Sequence, residues 1–202
     1  MNQTPIPITK DGFLNGLTWT DYVAHMKVNR ERIAELFEEI KLAPDDRQVF
    51  AQAAAGHGGQ LYIAAMGEDW CGDAVVILPL IARLAAEVPG IDLRIFARSA
   101  APDLEDAYAE DGITSIPVLS FFGAAWLEVG RWVERSAAAQ RRVDVWMAVH
   151  PGVEALRHSS DPQDRRAYRA LMKERLLDMI EWYRGGLWEA TLEEWKSLLL
   201  IT

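Results

Sequence analysis

The sequence predicts an α/β fold, a sheet of short buried strands alternating with helices, with further helical segments before and after it. Three observations carry that expectation. Leu61 to Met66 is a short apolar run bounded by turn residues, with the length and flanks of a buried strand, and Ile91 to Ala97 reads as a second strand. Between them Val75, Leu78, Ile81, Leu84 and Ala85 mark an apolar helix, closed by Pro89-Gly90, so strand alternates with helix. Outside this middle region the apolar residues fall largely at helical spacing.

Residues 1–16 are rich in Pro, Thr, Asn and Gly and read as an extended arm. Thr18, with Asp21 three residues later, resembles a capping box and opens a helical region. Tyr22, Met26, Ile33, Leu36, Phe37 and Ile40 supply its apolar positions. Leu42-Ala43-Pro44-Asp45-Asp46 breaks the pattern and starts another helix to about Ala55, after which His57-Gly58-Gly59 turns the chain. Beyond the second strand, Pro102 to Glu110 reads as a short helix. Ile116 to Phe122 and Trp126 to Gly130 read as a final pair of strands.

The last third is helical. Asp161-Pro162 supplies an N-cap with proline at the first helical position. Tyr168, Leu171, Met172, Leu176, Met179, Ile180 and Tyr183 form one apolar face, and Gly185-Gly186 ends it. Trp188, Leu192, Trp195 and Leu199 repeat the pattern. There is no internal repeat and no low-complexity tract.

Composition narrows the function classes. Half of the residues are hydrophobic and 25% are charged, an ordinary globular balance with enough apolar residues for a core without staples. A net charge of −9 and no basic tract argue against nucleic-acid and membrane partners, both of which select for Lys and Arg. The longest apolar run, Ala74 to Ala82, is too short to span a bilayer. The opening Met1-Asn2-Gln3-Thr4-Pro5 is polar with no apolar stretch behind it, so no secretory signal is expected. The single cysteine cannot form an internal disulfide. Together these features suggest a reducing cytoplasm.

That cysteine, Cys71, stands at the junction between the first strand and the helix after it. The first turn of a helix offers unpaired N–H groups and the positive end of its dipole, and both favour a thiolate, the nucleophilic form. Gly72 permits close approach of a partner backbone, and Trp70 offers a flat apolar surface. The helix start pulls the thiol pKa down while Glu68, Asp69 and Asp73 push it back, so a modest net depression is expected. Glu68 and Asp69 read as solvated loop acids, and Asp73 as an acid placed for the helix dipole. Arg98, Arg131 and Arg135 read as surface cations, and Trp182, Trp188 and Trp195 as packing residues. The histidines are scattered without ligand spacing, and Glu68, Asp69, Cys71 and Asp73 lack a second sulfur, so neither metal nor cofactor is expected.

Four features in order resemble the thioredoxin superfamily. They are Trp70-Cys71-Gly72 after a strand, Pro79 in the following helix, Gly112-Ile113-Thr114-Ser115-Ile116-Pro117 before a strand, and Glu128-Val129-Gly130 at the close. A narrower likeness is to bacterial thioredoxin-like proteins with helical extensions and a Trp-Cys-Gly-Asp-Ala motif, here Trp70 to Ala74. It also rests on Pro102-Asp103-Leu104, Gly130-Arg131-Trp132 and the Trp-rich helical tail. The resemblance implies a central mixed sheet flanked by helices. It divides the chain into an N-terminal arm and helical extension (1–56), a thioredoxin-like domain (57–150) and a C-terminal helical extension packed on that domain (151–202). It further implies a cis Ile116-Pro117 bond beside Cys71, with the backbone before the proline pairing with an extended substrate. On that basis Cys71 is the expected nucleophile, and Trp70, Gly72, Asp73, Ile116 and Pro117 the expected substrate contacts.

Two departures matter. Ala74 stands where the resolving cysteine of the family stands, and Ala65 where thioredoxin carries a buried acid. The first choice is therefore a monothiol oxidoreductase acting in redox homeostasis, whose mixed disulfides on Cys71 are released by a protein or low-molecular-weight thiol. The alternative is a non-catalytic module binding protein or peptide near Pro117. A third and weaker reading is an iron–sulfur carrier using Cys71 with an external thiol.

Overall fold

The strand that follows the His57 turn is the one on which the sheet is assembled. In β1 (Leu61–Gly67) every residue but Tyr62 is buried, the pattern of a strand covered on both faces. The computed structural model describes residues 6–200; readings that fall on residues 1–5 and 201–202 lie outside the described residues. β1 pairs in parallel with β2 (Ile91–Ala97), from Leu61 opposite Ile91 to Gly67 opposite Ala97. On its other side it pairs antiparallel with β3 (Val118–Gly123), which in turn pairs antiparallel with β4 (Glu128–Val133). The result is a four-stranded mixed sheet in the order β2-β1-β3-β4.

Sequence explains the helices around it. α5 (Gly72–Glu87) returns the chain from β1 to β2. It is buried continuously from Asp73 to Ala82, as a helix apolar on all sides must be. α3 (Arg30–Glu39) packs against it. There Arg83 of α5 lays its guanidinium 3.8 Å from the ring centroid of Phe37 and donates to the Phe37 carbonyl. α4 (Pro44–Gly56) begins at proline, and α6 (Pro102–Glu110) does the same.

Several elements differ from the sequence reading. The extended arm contains a short helix, α1 (Lys10–Phe13), because Thr9 caps it and Phe13 enters the core. Phe13, Tyr62, Trp126 and Phe122 form an aromatic cluster, and the Trp126 indole donates to the Ile8 carbonyl at 2.8 Å. The helical region after Thr18 is two helices, α2 (Trp19–His25) and α3, split where Asn29 adopts a left-handed φ of 58°. β3 begins after the proline, not at Ile116. β4 starts at Glu128 because Trp126 (φ 61°) turns the chain and stacks on Phe122.

The chain forms two compact units. One runs to Glu134 and includes the segment from Leu192; the other is Arg135–Thr191. The second unit holds α7 (Ala137–Val149), capped by Ser136, then α8 (Val153–His158) and α9 (Pro162–Trp182), capped by Asp161 as its sequence indicates. Within it the Trp146 indole donates to Asp178 at 3.1 Å. The glycine pair ends the helical path of α9 as its sequence indicates: Gly185 (φ −86°, ψ 18°) and Gly186 (φ 114°, ψ 4°) leave helical geometry, and α10 (Trp188–Leu200) begins beyond that kink. In the first unit, Trp195 of α10 is fully buried edge-on to Trp132, and Leu198 lies over Gly130.

Candidate functional site

Glu68 to Cys71 carry the chain from the end of β1 into α5, and the Cys71 N–H closes the turn on the Glu68 carbonyl at 3.1 Å. Cys71 is the N-cap of α5, with extended backbone (φ −80°, ψ 119°). Its half-buried thiol donates to the Ile116 carbonyl at 3.4 Å. The Ile116-Pro117 bond is cis. The Pro117 carbonyl is held in turn by the Glu134 N–H at 2.7 Å, so the segment before β3 is fixed from the far side by the end of β4.

The structure thus brings Cys71, Ile116 and Pro117 together, two loops meeting at one end of the sheet. Gly72 opens the helix and Asp73 is buried in its first turn. Ile116 is buried, whereas the Trp70 side chain is 63% exposed beside the cysteine. An apolar ring at that exposure is a surface available to a partner.

Electrostatics correct one expectation. The Cys71 thiol is pushed up to about 11, not down. Burial is the largest cause, and the Asp73 carboxylate adds to it, with Glu134 contributing less. The N–H groups of Ala74 and Asp73 face the sulfur and pull the value down, though neither closes a formal cap hydrogen bond. Helix geometry therefore acts in the direction the sequence suggests, and desolvation outweighs it. The neutral thiol is the resting form.

The loop acids also differ from their reading as solvated groups. Asp69 Oδ2 accepts from the N–H of Lys27 at 2.7 Å and of Val28 at 3.2 Å, while Asn29 Nδ2 donates to the Asp69 carbonyl at 2.8 Å. Glu68 is buried and accepts from the Ser99 N–H at 2.6 Å. These acids hold the site loop against the α2–α3 turn and the segment after β2. No spacing rule connects Asp69 to residues some 40 positions earlier, so the sequence carried no signal for it.

The arginines have partners of their own. Arg131 is buried, pairing with Asp111 at 2.6 Å and Glu128 at 2.8 Å above the Tyr108 ring, which corrects its reading as a surface cation. Arg98 pairs with Glu105, and Arg135 donates to Gln140. Tyr22 of α2 is a core residue, as sequence reading left it, and its phenol is pushed up mainly by burial, with the Asp69 charge adding to that. Among the described residues no cluster of His, Cys, Asp and Glu could hold a metal ion, and no helix is long and apolar enough to cross a membrane.

Chemically, this arrangement presents one sulfur, a backbone carbonyl, the N–H groups of a helix start and an exposed indole. It can form one covalent bond to sulfur at a time. Ala74, fully buried in the first turn of α5, has no thiol with which to release it.

A family model described as thioredoxin matches residues 16–147. No curated protein matches the chain. Among solved structures, a Pseudomonas aeruginosa protein of unknown function is similar, with 18% identity and a TM-score of 0.60, covering 95% of this chain and 96% of that one. An HIV epitope-scaffold is similar at 17% identity and a TM-score of 0.60, covering 95% and 97%. At that identity these two likenesses speak to the fold alone.

Proposed function

The chain belongs to the thioredoxin family, and from that premise we propose that it is a monothiol thiol–disulfide oxidoreductase whose working atom is Cys71 Sγ. The observation that carries this reading is the placement of the only sulfur nucleophile at the N-cap of α5, 3.4 Å from the carbonyl before a cis proline. In the reaction, Cys71 loses its proton to solvent and the thiolate attacks one sulfur of a substrate disulfide. The Sγ–S bond forms as the substrate S–S bond breaks, and the departing thiolate is protonated. An external thiolate then attacks the substrate-derived sulfur, a new external disulfide forms, and Cys71 returns as thiolate. Trp70, Gly72, Asp73, Ile116 and Pro117 frame the approach of the substrate, with the Ile116 backbone as an edge for an extended segment.

The test is intact-mass analysis of the reduced protein after exposure to oxidised glutathione. A single adduct on Cys71, lost on adding reduced thiol and absent from Cys71→Ser, supports the reading. A protein that acquires no adduct at pH 9, where ionisation is increased, overturns it.

One observation favours a second reading. With burial and the Asp73 carboxylate pushing its pKa up to about 11, the Cys71 thiol is held largely un-ionised at pH 7, which suits a non-catalytic module using the surface near Pro117 to bind protein or peptide. Partner capture that survives Cys71→Ala distinguishes this module from the enzyme.

A further inference from the structure

The outward face of α3 is acidic. Glu31, Glu35, Glu38 and Glu39 are all exposed, and at 3.6 residues per turn they fall within an arc of about 100°. The two arginines of that helix lie outside the arc, Arg30 donating to the Met26 carbonyl and Arg32 to Asn29. The first half of α9 is the reverse. Arg165, Arg166, Arg169 and Lys173 are exposed within an arc of the same width, about 100°, that holds no acid. Glu38 also reaches Arg83 at 3.4 Å. Among the described residues Glu31, Glu35, Arg166, Arg169 and Lys173 make no ion pair.

Each stripe is unfavourable on its own. Glu31, Glu35 and Glu39, like Arg165, Arg169 and Lys173, set like charges four residues apart, which weakens a helix. Each also opposes its helix dipole. Glu38 and Glu39 sit at the C-terminal end of α3, where positive charge is favoured. Arg165 and Arg166 sit near the N-terminal end of α9, where negative charge is favoured. One antiparallel contact between the two helices relieves both faults. It sets Glu39 opposite Arg165, Glu35 opposite Arg169 and Glu31 opposite Lys173, over about 12 Å of helix axis. The match continues beyond the charges. Val28, 47% exposed and just before Glu31, then meets Leu177, 48% exposed and one turn after Lys173.

We propose that this protein self-associates through α3 of one copy and α9 of another, packed antiparallel in that register. A nucleic acid or an anionic membrane would extend past the basic stripe and meet a chain whose net charge is −9, whereas a facing α3 is no longer than the stripe itself. At about 0.1 M salt the screening length is about 10 Å, so the facing stripes outweigh the like net charges of two copies. The association is weak and salt-sensitive, because each exposed ion pair contributes little. The contact includes Val28, whose N–H is held by Asp69, so the second copy lies against the turn on which the site loop is registered.

The test is sedimentation velocity of the full chain over a concentration series at about 0.1 M salt. The wild type should show a sedimentation coefficient that rises with concentration, and the rise should shrink at about 0.5 M salt. Arg169→Glu/Lys173→Glu and Glu31→Lys/Glu35→Lys change only exposed residues. Each should associate at least about tenfold more weakly, because like charges then face each other. An equimolar mixture of the two variants should associate again, each restoring the charge its partner lost, which a folding defect could not do. A wild type that stays monomeric throughout overturns the proposal, as does a mixture no more associated than its components. A monomeric wild type that binds polyglutamate or a single-stranded oligonucleotide through Arg169 and Lys173 would assign the basic stripe to another anionic partner and likewise overturn the self-contact.

Discussion

The Cys71 thiol donates its proton to the carbonyl oxygen of Ile116 at 3.4 Å, so the neutral form of the site sulfur is the one its surroundings hold. Desolvation and the Asp73 carboxylate reinforce that preference. Reactivity at this sulfur is consequently a matter of how the charge is relieved when it appears.

Alkylation should show this first. Labelling of the folded protein with iodoacetamide is expected to be slow at pH 7 and to rise about tenfold per pH unit toward a midpoint near 11. Asp73→Asn removes the second-largest cause of the shift and should speed labelling at pH 8 severalfold. A midpoint at or below that of the unfolded chain would show that the buried thiol is better solvated than its position indicates.

Stability should depend on the same group. The folded-state pKa lies above the ordinary thiol value, so between the two the unfolded chain has lost a proton that the folded chain keeps. The folded state is then favoured fully below the ordinary value, and that preference is lost as pH rises toward 11. The slope approaches about 1.4 kcal/mol per pH unit. Urea titrations from pH 8 to 11 should show that loss in the wild type beyond what Cys71→Ala shows, and parallel curves would refute it.

Insulin reduction probes the missing resolving thiol. Ala74 lies in the same helical turn as Cys71, and its N–H faces the sulfur. With a small-thiol reductant the wild type should reduce insulin disulfides far more slowly than a two-cysteine thioredoxin. Ala74→Cys should raise the rate by at least tenfold through the high local concentration of the second sulfur. Equal turbidity curves for wild type and Ala74→Cys would mean that no internal thiol is needed.

The ion cluster beneath β4 should be structural. Arg131 is buried between Asp111, Glu128 and the Tyr108 ring. Replacing it with Ala strands two carboxylates and should cost about 3 kcal/mol in chemical denaturation. Cys71 alkylation in the folded variant should be unaltered, whereas a shifted pH profile would give Arg131 a role at the site.

The middle of the molecule was legible because its residues obey local rules. Ile91–Ala97 and Pro102–Glu110 stand where their periodicity and proline put them, and Cys71 caps α5 as its junction position suggested. Ile116-Pro117 is cis, but only the family resemblance pointed that way; an isolated Ile-Pro does not. What stayed hidden depends on long-range pairing. The split between α2 and α3 is fixed by Asp69, a residue far along the chain, accepting the N–H groups a continuous helix would have used. The direction of the Cys71 shift was equally hidden, since helix-dipole arguments are local whereas burial is a sum over the whole fold. Arg131 was missed because nothing in a sequence says which cation is folded inward.

The attachment of Asp69 to Lys27 and Val28 also bears on what the smallest working version of this protein is. A truncation that kept only the strand–helix–strand motif would discard the residues against which the loop before Cys71 is registered. Changes at Lys27, Val28 and Asn29 would be inherited by the loop before Cys71 rather than tolerated as ornament. Any attempt to graft the Trp70–Ala74 pentapeptide onto another scaffold would have to carry that distant turn with it.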